Sequence, residues 1–372
     1  MEQEINKIMQ RFLQHGFQIY LVGGYVRDCV LGTTAKDIDF ATDALPEQVE
    51  QLFPKTLALG KQFGTITLVM ESGSYEVTTF RQDLENDNFR KPRSVAYAHT
   101  LAEDVARRDL TINGLAMTID GTLIDLVGGQ EDIKAKIIRT IGEPTQRFHE
   151  DALRILRALR FAMRFNFTIA PETLAAMEEC APYLQAIAPE RLRKEWEQIL
   201  AAPYYDANRV PKLIGEVCFG DSWRRIAQFP SENPVSLTQF WTFVALVSQN
   251  DWRYTKQEQR LYRQVQQRQH LPISLRYLEL SEEEACQLER LRSAYQQEQF
   301  DIGKVKESYQ HLLIHQRQEL PVTAADWHLL GLEVTQFQRA FHYCIQAINE
   351  RQILNTKQAC LAYIKGVPWI NN

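Results

Sequence analysis

The apolar run Ile19-Tyr20-Leu21-Val22 ends at Gly23-Gly24, and two further β-rich runs, residues 65–70 and 75–80, flank Ser72-Gly73-Ser74. Short runs rich in β-branched and aromatic residues, bounded by glycine and serine, predict strands. Two of them joined by a tight turn predict a hairpin, so the sheet they build is mixed rather than all parallel. From about residue 142 the pattern turns helical almost throughout, punctuated by Pro171, Pro182, Pro189, Pro203, Pro211, Pro230 and Pro234, with no strand-like alternation of any length. The chain therefore reads as α+β, a small mixed-sheet head followed by an all-α body and tail. Residues 82–94 are polar and aperiodic, with Asn86-Asp87-Asn88 and Lys91-Pro92, and predict a mobile loop.

Candidate chemistry begins at Asp37-Ile38-Asp39. Residues two apart on a strand project from the same face, so both carboxylates would enter one cleft. Like charges held together there call for a cation, and paired carboxylates are the hard oxygen ligands that Mg²⁺ prefers. Upstream, Gly23-Gly24-Tyr25-Val26-Arg27-Asp28 follows a strand and opens a short helix, an order suited to a polyphosphate. Gly24 would let the backbone approach the ligand and Arg27 would add a charged donor; the alternative is a tight structural turn with a solvated arginine. Glu76, at the inward phase of the hairpin, is a candidate third carboxylate, or an ordinary strand residue paired with an arginine. Arg107-Arg108-Asp109 is expected at a helix start, with Asp109 capping the helix, pairing with an arginine or touching substrate.

Asp151, Arg154, Arg157 and Arg160 recur every third residue. On one helix such steps drift by about 60°, which predicts an inclined ridge with Asp151 and Arg154 side by side. As an ordinary salt bridge that pair is worth only about 0.3–0.5 kcal/mol. As a recognition pair it has a sharper use. Cytosine and adenine both present an amino donor next to a ring-nitrogen acceptor, which a carboxylate beside a guanidinium matches; guanine and uracil present the reverse polarity. Phe161, Met163 and Phe165 are expected in the core.

The 372 residues allow two or three domains, and 45% hydrophobic content supports sizeable cores. The six cysteines form no CxxC pair and the N-terminus lacks a signal-peptide core, which predicts a soluble protein of a reducing cytoplasm. No apolar stretch is long enough to cross a bilayer. A net charge of −5 leaves room for a local basic surface. Residues 252–268 interleave Arg253, Lys256, Arg260, Arg263 and Arg268 with Trp252, Tyr254 and Tyr262, and read as an RNA-backbone site or as a solvated helix face.

The string LVGGYVRDCVLGTTAKDIDFAT, residues 21–42, resembles the head of the bacterial tRNA nucleotidyltransferases, the CCA-adding enzymes, and of the related poly(A) polymerases. Residues 76–81, 107–113, 125–129 and 147–154 match the same family in the same order, so the resemblance spans about residues 17–200. It implies a nucleotidyltransferase head over 1–142, a helical neck that recognises the base over 143–205, and a helical tRNA-binding body and tail over 206–372. It further implies Mg²⁺ at Asp37 and Asp39, CTP and ATP as substrates, and the 3′ acceptor end of tRNA as partner. By the same resemblance Arg108 would reach the triphosphate, Asp151 and Arg154 would read the base, Arg157 and Arg160 would contact the nucleotide, and residues 189–196 would brace head against body. The undiminished loop at 82–94 favours full CCA addition; poly(A) synthesis or CC-only or A-only addition is the near alternative, and intact Asp37 and Asp39 speak against a silent RNA-binding protein.

Overall fold

The computed structural model describes residues 2–35, 38–83, 95–229, 236–248 and 252–368. Two compact units divide the described residues, one running to Trp223 and the other from Arg224 onward.

The first unit opens with α1 (Glu2–Gln14), β1 (Ile19–Val22), α2 (Gly24–Val30), β2 (Asp39–Thr42), α3 (Pro46–Leu52), β3 (Thr56–Gly60), β4 (Thr65–Met70) and β5 (Gly73–Thr79). The ribbon β6 (Arg81–Asp83) and β7 (Val95–Tyr97), α4 (Leu101–Ala106), β8 (Ala116–Met117) and β9 (Leu123–Ile124) follow. The main sheet has seven strands in the order β3-β4-β5-β2-β1-β8-β9. It is mixed, as the hairpin predicted: β4 and β5 are antiparallel, whereas β2 and β5 are parallel. Strand alternation divides the side chains. Leu21, Phe40, Val77 and Ile66 are buried on one face, while on the other Val22, Ala41 and Ala116 meet Leu101 and Val105 of α4. Gln82 and Asp83 lie in β6, so the expected loop at 82–94 begins two residues later than the polarity suggested; residues 84–94 are outside the described residues.

Next come α5 (Gly129–Ala135), β10 (Ile137–Ile138), α6 (Pro144–Glu150), α7 (Leu153–Phe165), β11 (Thr168–Ile169), α8 (Pro171–Cys180) and α9 (Pro189–Leu200). Proline opens α6, α8 and α9, where its missing N–H costs no helix hydrogen bond. After β11 the described residues contain only helices and turns. The second unit buries its own core around Trp327, Phe341, Cys344, Ile345, Ile348, Cys360 and Ile364. Among the described residues no helix is long and apolar enough to cross a membrane.

Candidate active site

The Gly23-Gly24 turn links the central strand to α2. Gly23 has φ 65° and ψ −128°, which an L side chain rarely adopts. A Cβ there would also come within 3.3 Å of Arg108 Nη1, and one on Gly24 would lie 3.6 Å from Arg27 Nη2. The turn is thus held between two guanidinium groups. The N-cap residue, Gly23, has no side chain with which to cap α2.

Asp39 is the first residue of β2, opposite Val22 on one side and Glu76 on the other. Paired residues on adjacent strands share a face, so the two carboxylates rise from the same side of the sheet about 4.8 Å apart at the backbone. Glu76 is exposed between buried Tyr75 and Val77. Asp37 is outside the described residues.

Arg27 does not face solvent as a free donor. It is 3% exposed, with Nη2 2.7 Å from Asp28 Oδ1 and Nη1 2.6 Å from Asn113 Oδ1. Its guanidinium also lies 5.0 and 4.9 Å from the ring centres of Phe161 and Phe165, which stack on one another. Burial lowers its pKa, against the pull of Asp28. The reason is helical geometry: the three residues after the turn bring Arg27 to the inner side of α2, where α7 supplies the aromatic bed.

Arg107 and Arg108 sit at the end of a helix, not at its start. The Thr100/Glu103 capping box begins α4 earlier, and Arg107 is its C-cap. Both arginines fold back on Asp104, Arg107 Nη2 at 2.6 Å from Oδ1 and Arg108 Nη2 at 2.8 Å from Oδ2. Burial would raise the pKa of Asp104, but Arg108 and Arg107 together hold it below the ordinary carboxylate value. Asp109 is likewise buried and pairs with Arg157 at 2.7 Å while accepting from Asn113 Nδ2 at 3.1 Å. The cost of burial is again outweighed, chiefly by Arg157, and the carboxyl stays well below its usual range. In return Asp109 raises the pKa of Arg157.

The expected single ridge from Asp151 to Arg160 is broken at its first member. Asp151 is the extended C-cap of α6, with φ −150°, and α7 begins at Leu153. Arg154, Arg157 and Arg160 do share α7. Arg154 is buried, with Nη1 2.7 Å from Glu150 Oε2 and Nη2 3.0 Å from the Arg107 carbonyl. Asp151 Oδ2 lies 3.1 Å from Arg191 Nη2 on α9, and its Oδ1 accepts from the Leu153 N–H at 3.1 Å. Arg160 pairs with Glu195 at 3.1 Å and donates to Gln198; burial lowers its pKa to about 10, partly offset by Glu195. Phe161 and Met163 are core, as expected, while Phe165 is half-buried and carries Arg27.

Sequence reasoning gave no site role to Asp28, Asp104, Glu150 or Arg191. Asp104 was accessible, since Arg107 and Arg108 follow it at helical spacings of three and four. Arg191 was not, because its partner is 40 residues away. In the second unit, Trp252 is buried against Trp241 at 5.1 Å, and Arg268 is tied to the carbonyls of Arg276 and Leu278. The exposed basic residues of the helix Lys256–Arg268 are therefore Lys256, Arg260 and Arg263, one stripe at i, i+4 and i+7.

Adjacent carboxylates beside a glycine turn, on a mixed sheet followed by helices, are the arrangement that a nucleotidyltransferase head requires. Comparison with known proteins narrows the class. The family described as Poly A polymerase head domain matches residues 19–139, that described as probable RNA and SrmB-binding site of polymerase A matches 166–208, and tRNA nucleotidyltransferase domain 2 matches 229–364. A CCA-adding enzyme of Enterococcus faecalis is 36% identical over 349 residues, covering 87% of this chain and 85% of that protein. One from Bacillus licheniformis is 49% identical over 193 residues, 52% of this chain and 49% of its own length, so the chain spans about half of that relative. The crystal structure of the Bacillus stearothermophilus CCA-adding enzyme in complex with CTP aligns over 98% of this chain and 96% of its own, with a TM-score of 0.73 and 31% identity. The chain belongs to the CCA-adding enzyme family of tRNA nucleotidyltransferases.

Proposed function

We propose that this chain adds C, C and A to the 3′ end of tRNA from CTP and ATP, releasing pyrophosphate, and that it does so without a nucleic-acid template. The observation that carries the reading is the register that sets Asp39 against Glu76 on adjacent strands next to the Gly23 turn. With Asp37 two residues before Asp39 in the sequence, the donor set is all carboxylate oxygen, which suits Mg²⁺ over softer metals. When bound, Mg²⁺ would neutralise charge developing on the α-phosphate and the leaving pyrophosphate. The 3′ hydroxyl oxygen of the RNA gives up its proton to solvent and forms a bond to the α-phosphorus as the bridge to the β-phosphate breaks, with pyrophosphate leaving.

The protein's own part is binding, orientation and selection. Arg108, against the glycine turn, would hold the triphosphate, with Gly24 allowing close approach. Arg27 would act behind the turn, fixing it to Asn113 and to α7. Asp151 would accept from the amino group of cytosine or adenine while Arg154 donates to the neighbouring ring nitrogen. Uracil or guanine would set acceptor against acceptor and donor against donor, leaving buried groups unpaired at about 1–3 kcal/mol each. Arg157 and Arg160, bound to Asp109 and Glu195, would line the same helix face and frame the nucleotide. The division into head (1–142), neck (143–205) and body with tail (206–372) belongs to this proposal, as does a cytoplasmic setting, which six free thiols suit.

The test is nucleotide addition to tRNA stripped of its 3′ CCA, with Mg²⁺, CTP and ATP. Wild type should extend the RNA, and Asp39→Asn should keep its fold and lose several orders of magnitude in rate. Near-normal extension by Asp39→Asn would overturn the assignment.

A further inference from the structure

We propose that Arg191 is a positioning residue that fixes base selection by clamping Asp151 from α9. This rests on the reading of Asp151 and Arg154 as the base-recognition pair. A reader carried in mid-helix would be oriented by its own element. Asp151 is not: it lies in the extended link between α6 and α7, at φ −150° and ψ 103°. On its own segment it is anchored by the Leu153 N–H, 3.1 Å from Oδ1. The second anchor comes from α9, where Arg191 Nη2 stands 3.1 Å from Oδ2 and 3.5 Å from Oδ1.

Two features of α9 mark this contact as more than a surface ion pair. Arg191 is the third residue of the helix, where the helix dipole disfavours a cation, so Arg191 gains nothing from its own helix. The same face, four and seven residues on, places Glu195 and Gln198 against Arg160 of α7. One stripe of α9 thus holds both Asp151, ahead of the recognition helix, and Arg160 upon it. A carboxylate offers about four lone-pair sites, and these contacts leave it room for one more donor, the amino group of the incoming base. With Arg191 gone, Asp151 could rotate about its χ angles and accept from other directions, and discrimination against bases lacking the amino group would weaken.

The experiment is single-turnover incorporation of CTP and of UTP at the first added position by wild type, Asp151→Ala, Arg191→Ala and Arg191→Lys. Arg191→Ala should lower the CTP-to-UTP ratio by about tenfold, the loss expected for one charge-assisted hydrogen bond. Arg191→Lys should restore most of the ratio, and Asp151→Ala with Arg191→Ala should lose no more selectivity than Asp151→Ala alone. A merely structural arginine would lower both rates in proportion and leave the ratio unchanged. That result, with Asp151→Ala still losing selectivity, overturns the proposal while sparing the recognition pair. An unchanged ratio in Asp151→Ala overturns both. If Arg191→Ala does not fold, Arg191→Gln, which keeps a donor but no charge, answers the same question.

Discussion

Arg27 separates two accounts of the glycine turn, because a phosphate ligand and a buried tie respond differently to its removal. In Arg27→Met the long stem remains against Phe161 and Phe165, while the 2.7 Å pair with Asp28 and the 2.6 Å bond to Asn113 disappear. Breaking a buried pair from one side costs about 3–5 kcal/mol, since the partner's charge stays buried. Two effects reduce this. Methionine recovers roughly 0.3–1.5 kcal/mol from the rings, and Arg164, half exposed, stands 3.4 Å from Asp28 and can take over part of the neutralisation. A net loss of about 3 kcal/mol follows, a large share of the roughly 5–15 kcal/mol that holds a domain together. For a unit of this size each kcal/mol moves Tm by about 2–4 °C, so the melting transition of the first unit should fall by about 6–12 °C. Thermal melts followed by circular dichroism, alongside KM for CTP and ATP, make the measurement. A Tm within about 2 °C of wild type, combined with a large rise in KM, would refute the reasoning and return Arg27 to the triphosphate.

Arg108→Ala should raise KM for CTP and ATP to a similar degree, because a phosphate contact carries no base information; steady-state kinetics with each nucleotide checks it, and a loss confined to one would contradict it. Asp109 has a folded pKa well below its unfolded value, so its stabilisation is fully present above about pH 4–5 and is lost as pH falls toward the folded pKa. Urea midpoints measured from pH 6 down to pH 3 should therefore hold to about pH 4 and begin to fall below it in wild type. Asp109→Asn should start lower and drop less; equal slopes would place the acid sensitivity elsewhere.

The mixed sheet was legible because its strands alternate cleanly and its hairpin turn is short: Tyr75 and Val77 are buried while Glu76 between them is exposed. Helix boundaries were harder to read. The i, i+3 spacing of Asp151 and Arg154 suits a helix, yet the chain leaves α6 at Glu150 and re-enters α7 at Leu153, a break that three-residue periodicity cannot register. Arg107-Arg108 was assigned to a helix start although Thr100 and Glu103 had already opened that helix. What lay beyond the sequence was long-range pairing. Asn113 on Arg27, Asp109 on Arg157 and Arg191 on Asp151 join residues 40 or more apart, and only the fold brings them together.

The most direct test of the account offers the protein a tRNA lacking its 3′ CCA, with CTP, ATP, UTP and GTP singly and then together, and sequences the RNA ends. The account predicts two cytidines and then one adenosine when CTP and ATP are both present, cytidines alone with CTP, and little extension with UTP or GTP. A run of adenosines from ATP alone would identify a poly(A)-type enzyme, and equal use of all four nucleotides would contradict base selection by Asp151 and Arg154.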